Sequence, residues 1–271
     1  MSFIQAFLLG VIQGLTEFLP VSSSAHLVFA QHWMKGFEQP GLLFDVVLHL
    51  ATLVAVVFYF RSDLIPLMTL GRCRLKEGVF EPWGSVGEIL RWIVFATVPT
   101  AVIGVVFQKP IEILFSNARF AASSLWVTGL LLYSSEYLAK ARGASVKFNN
   151  WRAFLIGVAQ GIAILPGISR SGSTLAVALF MGLNGVQAAR FSFLISIPAI
   201  LGAFVLQIPH LEGIPRNEFG QYLLGGMTAG ILGWLTIAWL FQWVRQRKLH
   251  FFAYYCWLMG SAVLVFSFFA S

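Results

Sequence analysis

Six apolar segments, 42–60, 91–108, 120–138, 188–208, 221–243 and 251–269, are long enough, or nearly so, for a membrane crossing. A hydrocarbon layer about 30 Å thick takes roughly 20 helical residues. Backbone N–H and C=O groups in lipid must pair within the segment itself, which segments of this length achieve as helices. The chain is 58% hydrophobic and 11% charged, against about 45–50% and 25% in soluble domains. It is therefore expected to be an all-α polytopic membrane protein, with its 26 Phe and nine Trp on lipid-facing and interfacial surfaces.

Two further apolar stretches, 3–30 and 153–183, break in the middle at Leu19-Pro20-Val21-Ser22 and Pro166-Gly167-Ile168-Ser169. Each piece, about 10–15 residues, is too short to span and suits a re-entrant hairpin. The two stretches also resemble each other. "FLLGVIQGLTEFLPVSSSAH" (7–26) aligns with "FLIGVAQGIAILPGISRSGS" (154–173), pairing Gly10 with Gly157, Gln13 with Gln160, Gly14 with Gly161 and Ser22 with Ser169. Pro20 and Pro166 fall one place out of register. Later, "FATVPTAVIG" (95–104) echoes "FLISIPAILG" (193–202). One hairpin plus three spans per half makes an odd number of crossings, so the second copy is inverted. The expectation is one membrane domain, 1–271, with six transmembrane helices and two re-entrant hairpins. Its halves are approximately 1–138 and 153–271, joined by the basic loop 139–152.

The basic residues support that topology. Loops 61–91, 139–152 and 244–250 hold twelve Lys and Arg, whereas 31–41, 109–119 and 209–220 hold only Lys35, Lys109, Arg119 and Arg216. By the positive-inside rule the first set is cytoplasmic, and the alternation fits six crossings with two hairpins that do not cross. The net charge of +7 thus reports orientation, and no nucleic-acid partner is expected. Cys73 and Cys256 make no metal spacing and receive no role. The N-terminal apolar stretch lacks a basic leader and contains Glu17, so cleavage as a signal peptide is not expected.

Arg170 and Arg190 lie outside those loops, and Glu17 lies inside an apolar stretch. A charge at membrane depth costs about 2.5–3.5 kcal/mol or more on insertion scales, so such residues face a cavity or a partner. If the hairpin tips meet, Glu17, Ser22, Ser23, Ser24 and His26 come beside Ser169, Arg170, Ser171, Ser173 and Thr174 in a polar chamber. Helix N-termini resuming after each break, capped by serine, suit anions and phosphate in particular. Arg170 adds a planar cationic fork. Glu17 would repel a phosphate, which assigns it a divalent cation or a proton, with Gln13 one turn earlier on the same face. Ser22 or Ser23 with His26, four or three residues on, pairs a hydroxyl with an imidazole. Asp45 and His49, four apart, read as lining the chamber mouth or as helix-end hydrogen-bonding groups. Arg190 reads as a second phosphate contact or a snorkelling anchor. The structural alternatives are serines as helix-packing residues and a Glu17–Arg170 ion pair without chemistry.

With "QGLTEFLPVSSSAH" and "PGISRSGST" the chain resembles the undecaprenyl-pyrophosphate phosphatase family, integral membrane enzymes associated with bacitracin resistance. The first motif of that family begins with Glu or Gln, and Gln13 takes the Gln option. Ala25 stands where the family usually has Gly. The resemblance implies removal of the terminal phosphate from a C55 polyprenyl diphosphate, regenerating the lipid carrier of wall synthesis. It also implies a divalent cation, Mg2+ or Ca2+, and a bacterial inner-membrane site open to the outer face. Gln13 and Glu17 match the acidic motif, Ser23 and His26 the competing nucleophile or base candidates, and Arg170, Ser169 and Thr174 the phosphate-binding segment. A homodimer stays an open assembly state. Inverted repeats broken at the midplane also mark transporters, so a lipid-phosphate or anion transporter is the alternative class.

Overall fold

The computed structural model describes residues 1–34, 43–69, 85–142, 148–208 and 217–269, with the side chains of 139–142 and 207 left aside. Twelve α-helices follow one another among these residues: α1 Phe3–Thr16, α2 Ser23–Trp33, α3 Leu43–Tyr59, α4 Arg61–Met68, α5 Val86–Val106, α6 Gln108–Phe115, α7 Ala118–Arg142, α8 Asn150–Ile162, α9 Arg170–Phe180, α10 Gly185–Gln207, α11 Phe219–Arg245 and α12 His250–Phe269. Local chemistry starts several of them. Ser2 with Gln5, Ser85 with Glu88 and Asn184 with Gln187 form reciprocal capping boxes at α1, α5 and α10, which satisfy N–H groups that a helix start leaves free.

Both broken stretches are helix–break–helix units. Residues 17–22 separate α1 from α2, and residues 163–169 separate α8 from α9. Four helices, α5, α10, α11 and α12, are long and apolar enough to cross a membrane, and α3 with α4, bent by 80°, makes up to five. Two of the six expected spans fall short for different reasons. Segment 42–60 forms only the 17 residues of α3, about 25 Å at the helical rise. Segment 120–138 lies in the 25-residue α7, which is long enough but interrupted by hydroxyls and Glu136.

The most extensive helix pairs are α1 with α11, α7 with α12, α5 with α8, and α3 with α11. Small residues let the backbones approach, as expected where packing rather than hydrophobicity drives association. A Cβ on Gly10 would lie 2.5 Å from the Gly225 carbonyl of α11, and one on Gly157 would lie 2.1 Å from the Ala96 carbonyl of α5. The aligned glycines thus do the same work in both broken stretches. Gly157→Leu is therefore expected to separate α8 from α5 and lower thermal stability, with overpacking costing about 1–3 kcal/mol or more; the midpoint of a detergent-solubilised melt checks this.

An aromatic cluster fixes the first break. Phe18, fully buried, meets Phe193 edge-on at 5.5 Å, and Phe60 lies 5.2 Å from Phe193 and 6.0 Å from Phe241. With the residue after Glu17 anchored in this way, Glu17 cannot drift from the centre of the molecule.

Candidate active site

The two breaks meet. The Ser171 hydroxyl donates to the Leu19 carbonyl at 3.0 Å, and the Gly167 N–H donates to Ser24 Oγ at 3.4 Å. Arg170, the first residue of α9, forms an ion pair with Glu17 at the end of α1. Gly167 takes φ +92°, and a Cβ there would lie 2.1 Å from the Ala121 carbonyl, so this turn requires glycine. Thr128 of α7 holds the turn by donating to the Gly167 carbonyl and accepting the Ser169 N–H, each at 3.0 Å.

Glu17 is 6% exposed and receives hydrogen bonds from several sides. One oxygen faces Arg170; the other accepts from the Ser23 hydroxyl at 2.5 Å and from Gln13 Nε2 at 3.0 Å, with His49 Nδ1 3.3 Å away. Gln13 Nε2 also lies 2.9 Å from His49 Nδ1. Ser22 and Ser169 cap α2 and α9, accepting from the Ala25 and Gly172 N–H groups. The positive ends of both helices therefore converge on the carboxylate, serine and arginine.

A cavity of about 450 Å3 opens from this centre. Its lining includes Glu17, Ser22, Ser23, Ser24, Ser169 and Arg170, together with Asp45 and His49 of α3, Thr100 and Gln160. Apolar residues such as Ile164, Ile200 and Phe204 line it as well. The arrangement can hold an anionic head group among serines and arginine while an apolar chain occupies the adjoining space.

The sequence model of the family described as bacitracin resistance protein BacA matches residues 6–262. The chain belongs to the BacA family. A protein named undecaprenyl-diphosphatase from Syntrophotalea carbinolica is 45% identical, covering 98% of this chain and 100% of the relative. One of the same name from Methanobrevibacter smithii is 42% identical over 98% of each. Another from Geobacter sulfurreducens is 40% identical over 99% of each.

Within this BacA-family chain the residues singled out from sequence part into two groups. Glu17, Ser22, Ser23, Ser24, Ser169 and Arg170 line the cavity, as do Asp45 and His49. The others stand behind it. Gln13 reaches the centre only through Glu17 and His49, Ser171 bonds Leu19 and Ser169, and Thr174 bonds the Arg170 carbonyl and Ser192. Ser173 is buried, with no partner for its Oγ among the described residues.

His26 also departs from the expected pairing with a reactive hydroxyl. Its Nδ1 lies 2.7 Å from the Ser22 carbonyl and its Nε2 lies 2.7 Å from the Tyr255 hydroxyl. The ring is absent from the cavity lining. Arg190 pairs with Asp63 of α4 at 2.9 Å and is not among the residues that line this cavity. Cys256 is buried, its thiol 3.6 Å from the Pro20 carbonyl, whereas Cys73 lies outside the described residues.

His49 is the residue that sequence reasoning undervalued. The signal was present: an ionisable residue within an apolar span, one helical turn from Asp45, faces a functional cavity by default. Asp45 accepts from Gln31 Nε2 at 2.7 Å.

Among the described residues no three His, Cys, Asp or Glu side chains group closely enough to hold a metal ion. The donors on offer are the Glu17 carboxylate and Gln13 Oε1, a buried acceptor with no partner among those residues. That set fits an ion such as Mg2+, which keeps waters and takes one or two carboxylates plus substrate phosphate oxygens.

Proposed function

We infer that this chain hydrolyses undecaprenyl diphosphate to undecaprenyl phosphate and inorganic phosphate, recycling the lipid carrier of cell-wall synthesis. The relatives' shared name supports the substrate. The observation that carries the reaction is the Ser23 hydroxyl, 2.5 Å from Glu17 in a cavity whose lining also includes Arg170.

Glu17 takes the proton from Ser23, and Ser23 Oγ attacks the distal phosphorus while the bond to the bridging oxygen breaks. The lipid monophosphate leaves with that electron pair. Glu17 passes that proton to the departing monophosphate. Water then attacks the phosphoseryl phosphorus and gives a proton to Glu17 while the P–Oγ bond breaks, and Glu17 returns the proton to Ser23 Oγ as inorganic phosphate leaves. Arg170 turns from Glu17 to the phosphoryl oxygens, and the N-termini of α2 and α9 add N–H dipoles where negative charge accumulates. Catalysis of this kind rests on positioning and charge stabilisation.

A divalent cation, Mg2+ or Ca2+, belongs to this reading; Glu17, which lines the cavity, would hold it, with Gln13 Oε1 one turn behind as a further oxygen donor. When bound it supplies neutralisation of the diphosphate charge. Exhaustive chelation is expected to stop phosphate release, and added Mg2+ or Ca2+ to restore it; full turnover after chelation would remove this role from Gln13 and Glu17.

The membrane arrangement in this reading is six spans and two re-entrant hairpins, related as inverted halves. The polar residues that disqualify α7 on composition support its place as a span, because Ser124, Thr128, Ser135 and Glu136 are buried against protein. The packing of α1 on α11 and of α8 on α5 through aligned glycines supports the repeat. Gln108, Glu112 and Ser116 also line the cavity, and Glu112 and Ser116 fall within 109–119, a segment poor in Lys and Arg. That supports an opening to the outer face of a bacterial plasma membrane. All of the named groups come from one chain, so a homodimer is not needed to complete the site.

A transporter would suit the inverted architecture equally, but it has no need of a hydroxyl bonded to a carboxylate. Purified protein given the polyprenyl diphosphate and Mg2+ is expected to release phosphate. No release, with labelled lipid crossing vesicle membranes instead, would establish the transporter.

A further inference from the structure

We propose that His26 is a positioning residue, held by Tyr255 of α12, which fixes the backbone turn that presents Ser23. This deepens the hydrolase reading of the same site and rests on it. A carbonyl oxygen only accepts, so the 2.7 Å contact between His26 Nδ1 and the Ser22 carbonyl makes Nδ1 the protonated nitrogen. In the neutral ring Nε2 is then an acceptor, and the Tyr255 hydroxyl, 2.7 Å away, donates to it. The two rings also stack, with centroids 5.7 Å apart and planes within 8°. Both nitrogens are thereby committed in a side chain that is 8% exposed and does not line the cavity.

The carbonyl that His26 holds belongs to a strained residue. Ser22 is a non-glycine residue at φ 68°, ψ 93°, a conformation that persists only where its surroundings impose it. The next residue is Ser23, whose hydroxyl meets Glu17. Cys256, adjacent to Tyr255, reaches the Pro20 carbonyl of the same break, so α12 braces the turn at two points. In this arrangement the imidazole moves no proton; it transmits the position of α12 to the Ser22 carbonyl and hence to Ser23.

The test combines kinetics on the polyprenyl diphosphate with 15N NMR of histidine-labelled protein in micelles, the His26 signals being assigned by their loss in His26→Asn. Wild type should show the Nδ1–H tautomer. Tyr255→Phe should disturb that signature and lower kcat about ten-fold, the worth of one buried hydrogen bond, with KM unchanged. His26→Asn, whose amide N–H can still donate to the Ser22 carbonyl, should retain kcat within about ten-fold of wild type on the same reasoning. His26→Ala should lose far more, and adding Ser22→Gly, which relieves the positive φ, should recover part of it. A His26→Asn variant as inactive as His26→Ala in folded protein would overturn the proposal, because a proton-transferring imidazole cannot be replaced by an amide. An unchanged tautomer and kcat in Tyr255→Phe would also overturn it. If wild type releases no phosphate, the hydrolase reading fails separately, while the tautomer measurement still decides whether Tyr255 holds His26.

Discussion

Glu17→Gln is expected to reduce phosphate release by about 10²–10⁴-fold, the usual contribution of a positioned proton acceptor. The substitution keeps size and shape but removes the charge on which Arg170, Ser23 and Gln13 converge. An amide also turns a donor toward at least one of those donors, because both carboxylate oxygens are already accepting. Ser23 then has no group to take its proton. The protein should remain folded in the membrane, as a single size-exclusion peak and an unchanged helical circular dichroism spectrum would show. Turnover within a few-fold of wild type would remove Glu17 from the chemistry and leave it a structural ion-pair partner.

The second large effect is expected at Arg170. Replacing it with Lys keeps the charge but loses the planar fork that spreads it over two oxygens at once. The expected loss in kcat/KM is about 10²–10³-fold, as for removal of one charge-stabilising donor at a reacting centre. Arg170→Ala should cost stability as well. Glu17 is nearly buried, and stripping a buried charge of its partner costs about 3–5 kcal/mol. A Lys variant with wild-type kcat/KM would show that the guanidinium geometry is not used.

Much of this was legible because lipid imposes simple rules. The breaks at Pro20 and Pro166 follow from short apolar pieces, and the pairing of Gly10 with Gly157 follows from the repeat, since glycine is what allows a backbone to approach another helix closely. The Glu17–Arg170 meeting follows from the cost of charge in hydrocarbon. What escaped the sequence depends on which way a side chain turns. The helical spacing of Ser22, Ser23 and His26 allowed a catalytic pair, but it could not reveal Tyr255, 229 residues away in sequence, which draws the imidazole aside. His49 sits 36 residues from Gln13 and reaches Glu17 only because α3 packs along α1 and α11.

Single-turnover phosphate release from polyprenyl diphosphate by Ser23→Ala, with Mg2+ present and enzyme in excess, tests the central claim most directly. With the attacking hydroxyl gone while Glu17, Arg170 and both helix termini remain, release should fall by orders of magnitude even as labelled substrate still binds. Release at the wild-type rate would contradict attack by Ser23.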